Sequence, residues 1–523
     1  MPNFQMDTKP IVPEYENIGL FRQYLATTIV NMGPFICGLV SAWVSPVIPV
    51  LESPQSPIGG IPFSAELISW TGSLPSLGAM VMSPFWGQIA DKVGRKKTSF
   101  LTGVPWIVAW VVMNNTSSTW LFLVMRFISG FGNSGAMFNS SMYVSEICHK
   151  HLKGQLGSFT IFFANGGVLY AYIVGSITDF RTFNYICAGM VVVYLVGFLL
   201  LPESPAYLLK TKDDEGARAA LVWYRGANID ETIINAEFEV LRDSFLNVRK
   251  KISVKELFNV PSTIQGILIG LVLQSGVQLS GNSVIIAYSI CLLSKAGVHT
   301  LSPHLSGIII AFLQVLASFF ALGVVHHYGR KSLLLVTYSI ASLSLFTVGL
   351  IYYFISINYS FPMMQYLPVI GLSMYIISVS IGVGPIPYVI YGEIFPAEVR
   401  NTSVSIIIMW NQITKFASLK LFHMMLAYIH ICGCFWFFST FCLFVIAYLS
   451  VYLPETKGHN LKCILSKMNF DIGRNPVERP APGNGLSGGG VEINIMGQGG
   501  IDNSAFNGNT RQDDSTDTDD NVV

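Results

Sequence analysis

Twelve stretches of about 20 mostly apolar residues divide this chain, and a stretch of that length crosses the hydrocarbon core of a bilayer as one helix. They fall at 25–50, 67–90, 98–116, 120–143, 155–178, 184–202, 264–290, 304–325, 332–357, 364–391, 402–427 and 431–453. Backbone polar groups find no water inside a bilayer, so each span must satisfy its own hydrogen bonds as a helix. Composition agrees: 51% of the 523 residues are apolar and 12% are charged, against about 25% charged in a soluble domain. We therefore expect an all-α membrane protein with twelve transmembrane helices in two six-helix halves, 25–202 and 263–457. A polar, charge-rich stretch at 203–262 reads as a helical linker between the halves, with tails at 1–24 and 458–523.

Basic residues mark one end of the spans. Lys92, Arg95, Lys96 and Lys97, then Lys150 and Lys153, the linker, Arg330 and Lys331, and Arg400 all fall in connections from an even to an odd span. The positive-inside rule places that end, both termini and the linker in the cytosol. The first residues lack a short apolar core with a cleavage site, so they read as a cytosolic tail rather than a signal peptide. Asn114, Asn115 and Asn358 begin Asn-x-Ser/Thr sequons on the opposite side and are glycosylation candidates. A further sequon at Asn401 falls on the cytosolic side, where it should stay bare. Eight scattered cysteines, mostly inside apolar segments, read as small buried hydrophobes rather than a disulfide framework. Residues 468–523 hold GNGLSGGG and end QDDSTDTDDNVV, a composition that favours a disordered acidic tail, with partner binding as the alternative.

The two halves echo each other, as in carriers built from repeats. GQIADKVGRKK at 87–97 is matched by LGVVHHYGRK at 322–331. MYVSEICHKHLKGQLGS after span four is matched by YGEIFPAEVRNTSVS after span ten, and Glu146 and Glu393 each stand seven residues before a base, Lys153 and Arg400. Pro202-Glu203-Ser204-Pro205 follows span six, Gly384-Pro385-Ile386-Pro387-Tyr388 lies in span ten, and Pro454 to Gly458 reads PETKG. With Gly87, Asp91, Gly94, Arg95, Arg126, Gly130, Tyr143 and Glu393-Ile394-Phe395-Pro396, these elements resemble the sugar porter branch of the major facilitator superfamily over about residues 25–465. The nearest resemblance is to insect trehalose-transporter-like and animal hexose-facilitator members.

That resemblance implies a charge network at the cytosolic ends. Asp91, Arg95, Arg126, Glu146 and Lys153 would form it in the first half, and Arg330, Glu393 and Arg400 in the second. Such a network would hold the inner ends together while the cavity faces outward and break when it faces inward; the alternative is interfacial charges that only set topology. His326 stands where the family has an acid, which reads as loss of that acid or as a pH-dependent partner.

For the cavity, Gln274, Gln278 and Asn282 recur every four residues, one helical face in an apolar span. Such a stripe faces a cavity or bonds another helix. The resemblance adds Ser283, Gln314, Tyr388 and Asn411 as candidate substrate contacts, while Ile161 and Gln412 replace polar and aromatic positions of the family pattern. Lys415 lies four residues after Asn411, so on the same face and mid-span. A bare ammonium there costs several kcal/mol. It either reaches the cavity and favours an anionic or strongly accepting solute, or is a structural lysine bonded to backbone. Residues 25–50 contain no acid, which favours facilitated diffusion over proton coupling.

No P-loop, nucleophile elbow or zinc spacing is found, so an enzyme is not expected. The expected partners are a small sugar-like solute and the lipid bilayer, with no nucleic acid, cofactor or metal. The reading is a monomeric plasma-membrane carrier for trehalose or a hexose-like sugar; the alternatives are a carrier of another polar or anionic solute and a transport-poor sugar sensor.

Overall fold

The computed structural model describes residues 19–149, 152–226, 231–246, 261–295, 302–359, 364 and 366–458. The first half is built from α1 (Leu20–Ala42), α2 (Val44–Leu51), α3 (Ala65–Val93), α4 (Arg95–Asn115), α5 (Thr119–Ile147), α6 (Lys153–Ile177) and α7 (Phe180–Leu199). Three shorter helices follow: α8 (Pro205–Lys210), α9 (Asp214–Arg225) and α10 (Glu231–Leu246). The second half holds α11 (Pro261–Leu279), α12 (Asn282–Lys295), α13 (Pro303–His327), α14 (Arg330–Ser356), α15 (Leu367–Ser378), α16 (Ile386–Ile394) and α17 (Ala397–Tyr452).

Among the described residues, nine helical stretches are long and apolar enough to cross a membrane. Two of the twelve expected passes fall outside that measure and two are counted as one, for identifiable reasons. α3 and α4 carry polar and charged residues beside their apolar ones, and the last two passes form a single helical run. A straight 56-residue helix would reach about 84 Å. At His430, however, the backbone leaves the helical region (φ 56°, ψ 176°). Phe422 and Phe438 would lie about 24 Å apart on a straight helix, yet their rings stack with centroids 6.5 Å apart. The chain therefore doubles back at His430, and the arms 397–429 and 431–452 are two passes. Large apolar side chains such as Val193 on α7, Phe319 and Phe320 on α13 and Leu343 on α14 point outward and are more than half exposed. Lipid, not water, is the solvent that suits such a surface.

Breaks in the helices place the polar groups of the centre. α11 stops before Gly281, whose φ of +89° suits glycine, and α12 restarts at Asn282. Between α15 and α16 a π turn spans Val379–Val383, where the Gly384 N–H bonds the Val379 carbonyl at 2.8 Å. Pro385 and Pro387 offer no N–H, so the regular ladder cannot continue there.

The end carrying the basic connections is also the end where α8–α10 dock, and we call it the linker end. Arg225 of α9 donates to the Ile147 carbonyl at the end of α5, and Arg22 donates to the Trp223 carbonyl. That docking explains why α1 begins at Leu20, earlier than the expected 25. The hydrogen bonds joining the two halves lie from the middle of the bundle to the opposite, distal end. Ser45 meets Ser289 at 3.4 Å, Tyr172 donates to the Ile286 carbonyl, and Ser176 meets His304. Lys420 donates to Ser69 at 2.9 Å, with its ammonium 3.9 Å from the Trp70 ring centre. These bonds join the two halves on the distal side.

Candidate functional site

A central cavity opens where α1, α3, α5 and α6 face α11, α12, α13, the π turn, α16 and α17. All seven residues expected to meet a solute line it: Gln278, Asn282, Ser283, Gln314, Tyr388, Asn411 and Lys415. The α11 stripe turns out to serve both of its candidate roles. Gln278 donates to Asn411 at 2.8 Å and accepts from Ser283 at 2.6 Å, so its amide is committed to holding other helices. Asn282 Oδ1 is buried and has no hydrogen-bond partner in the protein, so it keeps capacity for a solute; the Gln274 side chain faces the hydroxyls of Tyr388 and Tyr391. Gln314 donates to Asn165 at 2.8 Å, which in turn donates to Ser318, so α6 and α13 share a polar contact at mid-depth. Tyr388 keeps 41% of its surface accessible, toward the cavity. Lys415 donates to Ser41 at 3.3 Å.

Arg126 does not join the charge cluster at the linker end. It stands twenty residues before Glu146 on α5, which a helical rise converts to about 30 Å. The side chain is fully buried; Nε donates to the Thr71 carbonyl at 3.0 Å and Nη2 to that of Val40 at 3.5 Å. The guanidinium lies 4.8 Å from the Trp43 ring centre, and Nη1 has no partner. Arg126 lines the same central cavity as Lys415, and the described lining residues include no carboxylate. The sequence offers one hint of this placement: Arg126 and Asn133 are seven apart, on one face of α5, and Asn133 also lines the cavity.

At the linker end the halves carry matching clusters. Arg95 donates to Glu146 through Nε at 3.0 Å and Nη2 at 2.8 Å, and reaches Asp91 at 3.4 Å. Lys210 of α8 also pairs with Asp91, at 3.0 Å. Burial disfavours the Arg95 charge, but its bonds to Glu146 and the nearby Asp91 and Glu203 outweigh that, so the guanidinium titrates above its ordinary value. In the second half Arg330 pairs with Glu393 at 3.1 Å. Glu203 and Glu455 were not among the candidates, and each caps a helix. Glu203 accepts from the Arg95 and Lys96 N–H groups at the start of α4, and Glu455 accepts from the Arg330 N–H at the start of α14. Ser204 and Thr456 donate to Glu146 and Glu393. The signal for these was present as Pro-Glu-Ser at 202–204 and Pro-Glu-Thr at 454–456.

Three expectations about the clusters change. Lys153 is exposed and forms no ion pair with Glu146, and Arg400 donates to the Phe395 carbonyl rather than to Glu393. The acids turn instead toward the arginine that opens the neighbouring helix. The pairs of Arg95 and Arg330 join elements within one half rather than across the two halves. The side chain of His326 lies outside the described residues.

Of the sequons, Asn114 is buried and accepts from Asn184 at 3.3 Å. Asn115 and Asn358 are exposed. No disulfide joins the described cysteines.

Comparison with known proteins gives a consistent picture. The family model described as "Sugar (and other) transporter" matches residues 26–466. The facilitated trehalose transporter Tret1 of Polypedilum vanderplanki is 30% identical over 458 residues, 87% of this chain and 90% of that protein. Its counterpart in Culex quinquefasciatus is 28% identical, covering 86% of both chains. Among solved structures, the xylose transporter XylE from E. coli in an inward-open conformation aligns with a TM-score of 0.69 at 19% identity, over 85% of this chain and 99% of that one.

Proposed function

This chain belongs to the family of sugar (and other) transporters and has the twelve-helix fold of the major facilitator superfamily, and from that premise we propose that it carries a sugar-like polar solute downhill by alternating access. The observation that carries the reading is a polar cavity between two similar halves, each stapled by the same arrangement of arginine and carboxylates. Two stiff bodies around one midplane site can rock and expose the site to either side. The basic connections favour a cytosolic linker end and cytosolic termini; the membrane proposed is the plasma membrane. Asn31, in the first pass, accepts from Ser140 and Thr160, and residues 25–50 hold no carboxylate to carry a proton.

The test is uptake of radiolabelled sugars, trehalose included, into liposomes holding the purified protein. Saturable flux that a proton ionophore leaves unchanged is the expected result; binding without flux would turn the reading toward a sensor. Gln278→Ala should lower uptake about tenfold or more, because Asn411 and Ser283 lose their shared partner and each lost buried hydrogen bond costs about 1–3 kcal/mol. Unchanged uptake by that variant would remove Gln278 from the site. Glycan addition should depend on Asn115 and Asn358: Asn115→Gln should abolish part of the mobility shift on enzymatic deglycosylation, and Asn114→Gln should retain the Asn115 glycan.

A further inference from the structure

We propose that Lys420, clasped by Ser69 and Trp70, is the distal latch of the carrier cycle: the contact forms when the cavity closes to the distal side and parts when it opens there. The inference rests on the carrier reading and adds a residue that sets which side the cavity faces. Lys420 belongs to the second half, in the arm 397–429 of α17, and its partners stand in the first two turns of α3, in the first half. Its ammonium lies 3.9 Å from the Trp70 ring centre and donates to Ser69 at 2.9 Å. Phe416, one turn earlier on α17, packs against the same side chain with ring centres 6.2 Å apart. Trp70 is thus held from two positions of the opposite half. Glu66 Oε1 stands 4.0 Å from the ammonium, but this carboxylate is 76% exposed and water screens it. The ring and the hydroxyl therefore carry the contact.

The chemistry suits a contact that must break in every cycle. The Lys420 side chain keeps 20% of its surface accessible, so water takes over the ammonium as the halves part. A cation on an aromatic face is a modest attraction. The ion pair of Arg95 and Glu146 is different: it is 5% and 14% exposed, and separating it would strand a buried charge. A carrier needs both of its states populated, and a modest contact biases the two without locking either. The same helix ties the latch to the cavity. Asn411, Lys415 and Leu419 line the cavity, and Lys420 lies five residues past Lys415, about 7.5 Å along α17. A solute drawn to Asn411 and Lys415 pulls on the arm that carries the latch.

The experiment uses the full chain in nanodiscs, with spin labels carried by a genetically encoded ketone-bearing residue at Arg181 and Ser356, exposed distal positions of the first and second half. Double electron–electron resonance then reads the distance between the halves on that side. Lys420→Met should raise the ratio of the longer to the shorter distance about tenfold, and Trp70→Leu should raise it in the same direction. Lys420→Arg keeps a cation over the indole and should hold the parental ratio. Glu66→Gln should change the ratio by less than about twofold. An unchanged ratio in both Lys420→Met and Trp70→Leu would overturn the inference, as would an equal shift in Glu66→Gln. A single broadened distance with a lowered melting temperature, shared by Lys420→Met and Lys420→Arg, would mark a merely structural contact and also overturn it. The ratio is read without flux, so a shifted ratio in a protein that takes up no sugar would remove the carrier reading and leave the distal contact standing.

Discussion

Gly167→Ala is expected to leave almost no folded transporter, whereas Gly157→Ala on the same helix leaves the protein unchanged or slightly more stable. A Cβ at Gly167 would stand 1.8 Å from the Phe35 carbonyl oxygen of α1, and one at Gly38 would stand 1.8 Å from the Ala164 carbonyl oxygen of α6. The two glycines are reciprocal: each lets the other helix's backbone approach to a distance no side chain permits. Small residues let membrane helices pack this closely, since lipid removes most of the hydrophobic drive to associate. The clashing atoms belong to backbone, so α1 must separate from α6 to make room. Overpacking a core with flexible side chains already costs about 1–3 kcal/mol, and this contact has no flexible side to give. A Cβ at Gly157 meets nothing within 4 Å, and alanine is the better helix former by about 1 kcal/mol. Size-exclusion profiles and thermal melts of the two variants in detergent make the comparison. A monodisperse Gly167→Ala protein with the parental melting temperature would show that the helices can part without penalty.

The second large effect is expected at Glu146. Arg95 is 5% and Glu146 14% exposed, and the pair shares three hydrogen bonds. Glu146→Gln leaves the Arg95 guanidinium buried without its main counter-charge, a loss of about 3–5 kcal/mol when one partner of a buried pair is removed. We expect a clear fall in melting temperature and loss of most uptake. Glu393→Gln should follow in the same direction with a smaller effect, because Arg330 and Glu393 are 12% and 27% exposed and water screens them more. In a double-mutant cycle, Arg95→Gln with Glu146→Gln should cost less than the two single changes added together. Strict additivity would mean that the pair contributes no coupling, and the staple would lose its physical basis.

The expected spans and the observed helices agree because the signal is local and repeated: about 20 apolar residues identify a crossing wherever they lie. The agreement weakens where one residue decides. His430 separates two passes by a single non-helical residue, which an average over many positions cannot register. Asn114 and Asn115 are adjacent and carry equal sequons, yet a helical step of about 100° turns one toward Asn184 and the other outward. The cavity residues were legible where polarity interrupted an apolar span, as at Gln278 and Lys415. Arg126 was assigned to the end cluster, although its twenty-residue separation from Glu146 on one span already set it about 30 Å away.

Taken alone, the sequence determined the number of crossings, the repeat of the two halves and the polar residues that needed shelter from lipid. These follow from solvation, which each segment expresses by itself. Which charges meet was decided only by the tertiary structure. Arg95 and Glu203 stand 108 residues apart, Arg330 and Glu455 125 apart, and Lys415 and Ser41 374 apart. Electrostatic partners depend on distances of a few ångströms, and those distances exist only once helices remote in the chain have packed together. Packing moved Arg126 from an expected end cluster into the cavity and set the pairs of Arg95 and Arg330 within one half rather than across the two halves.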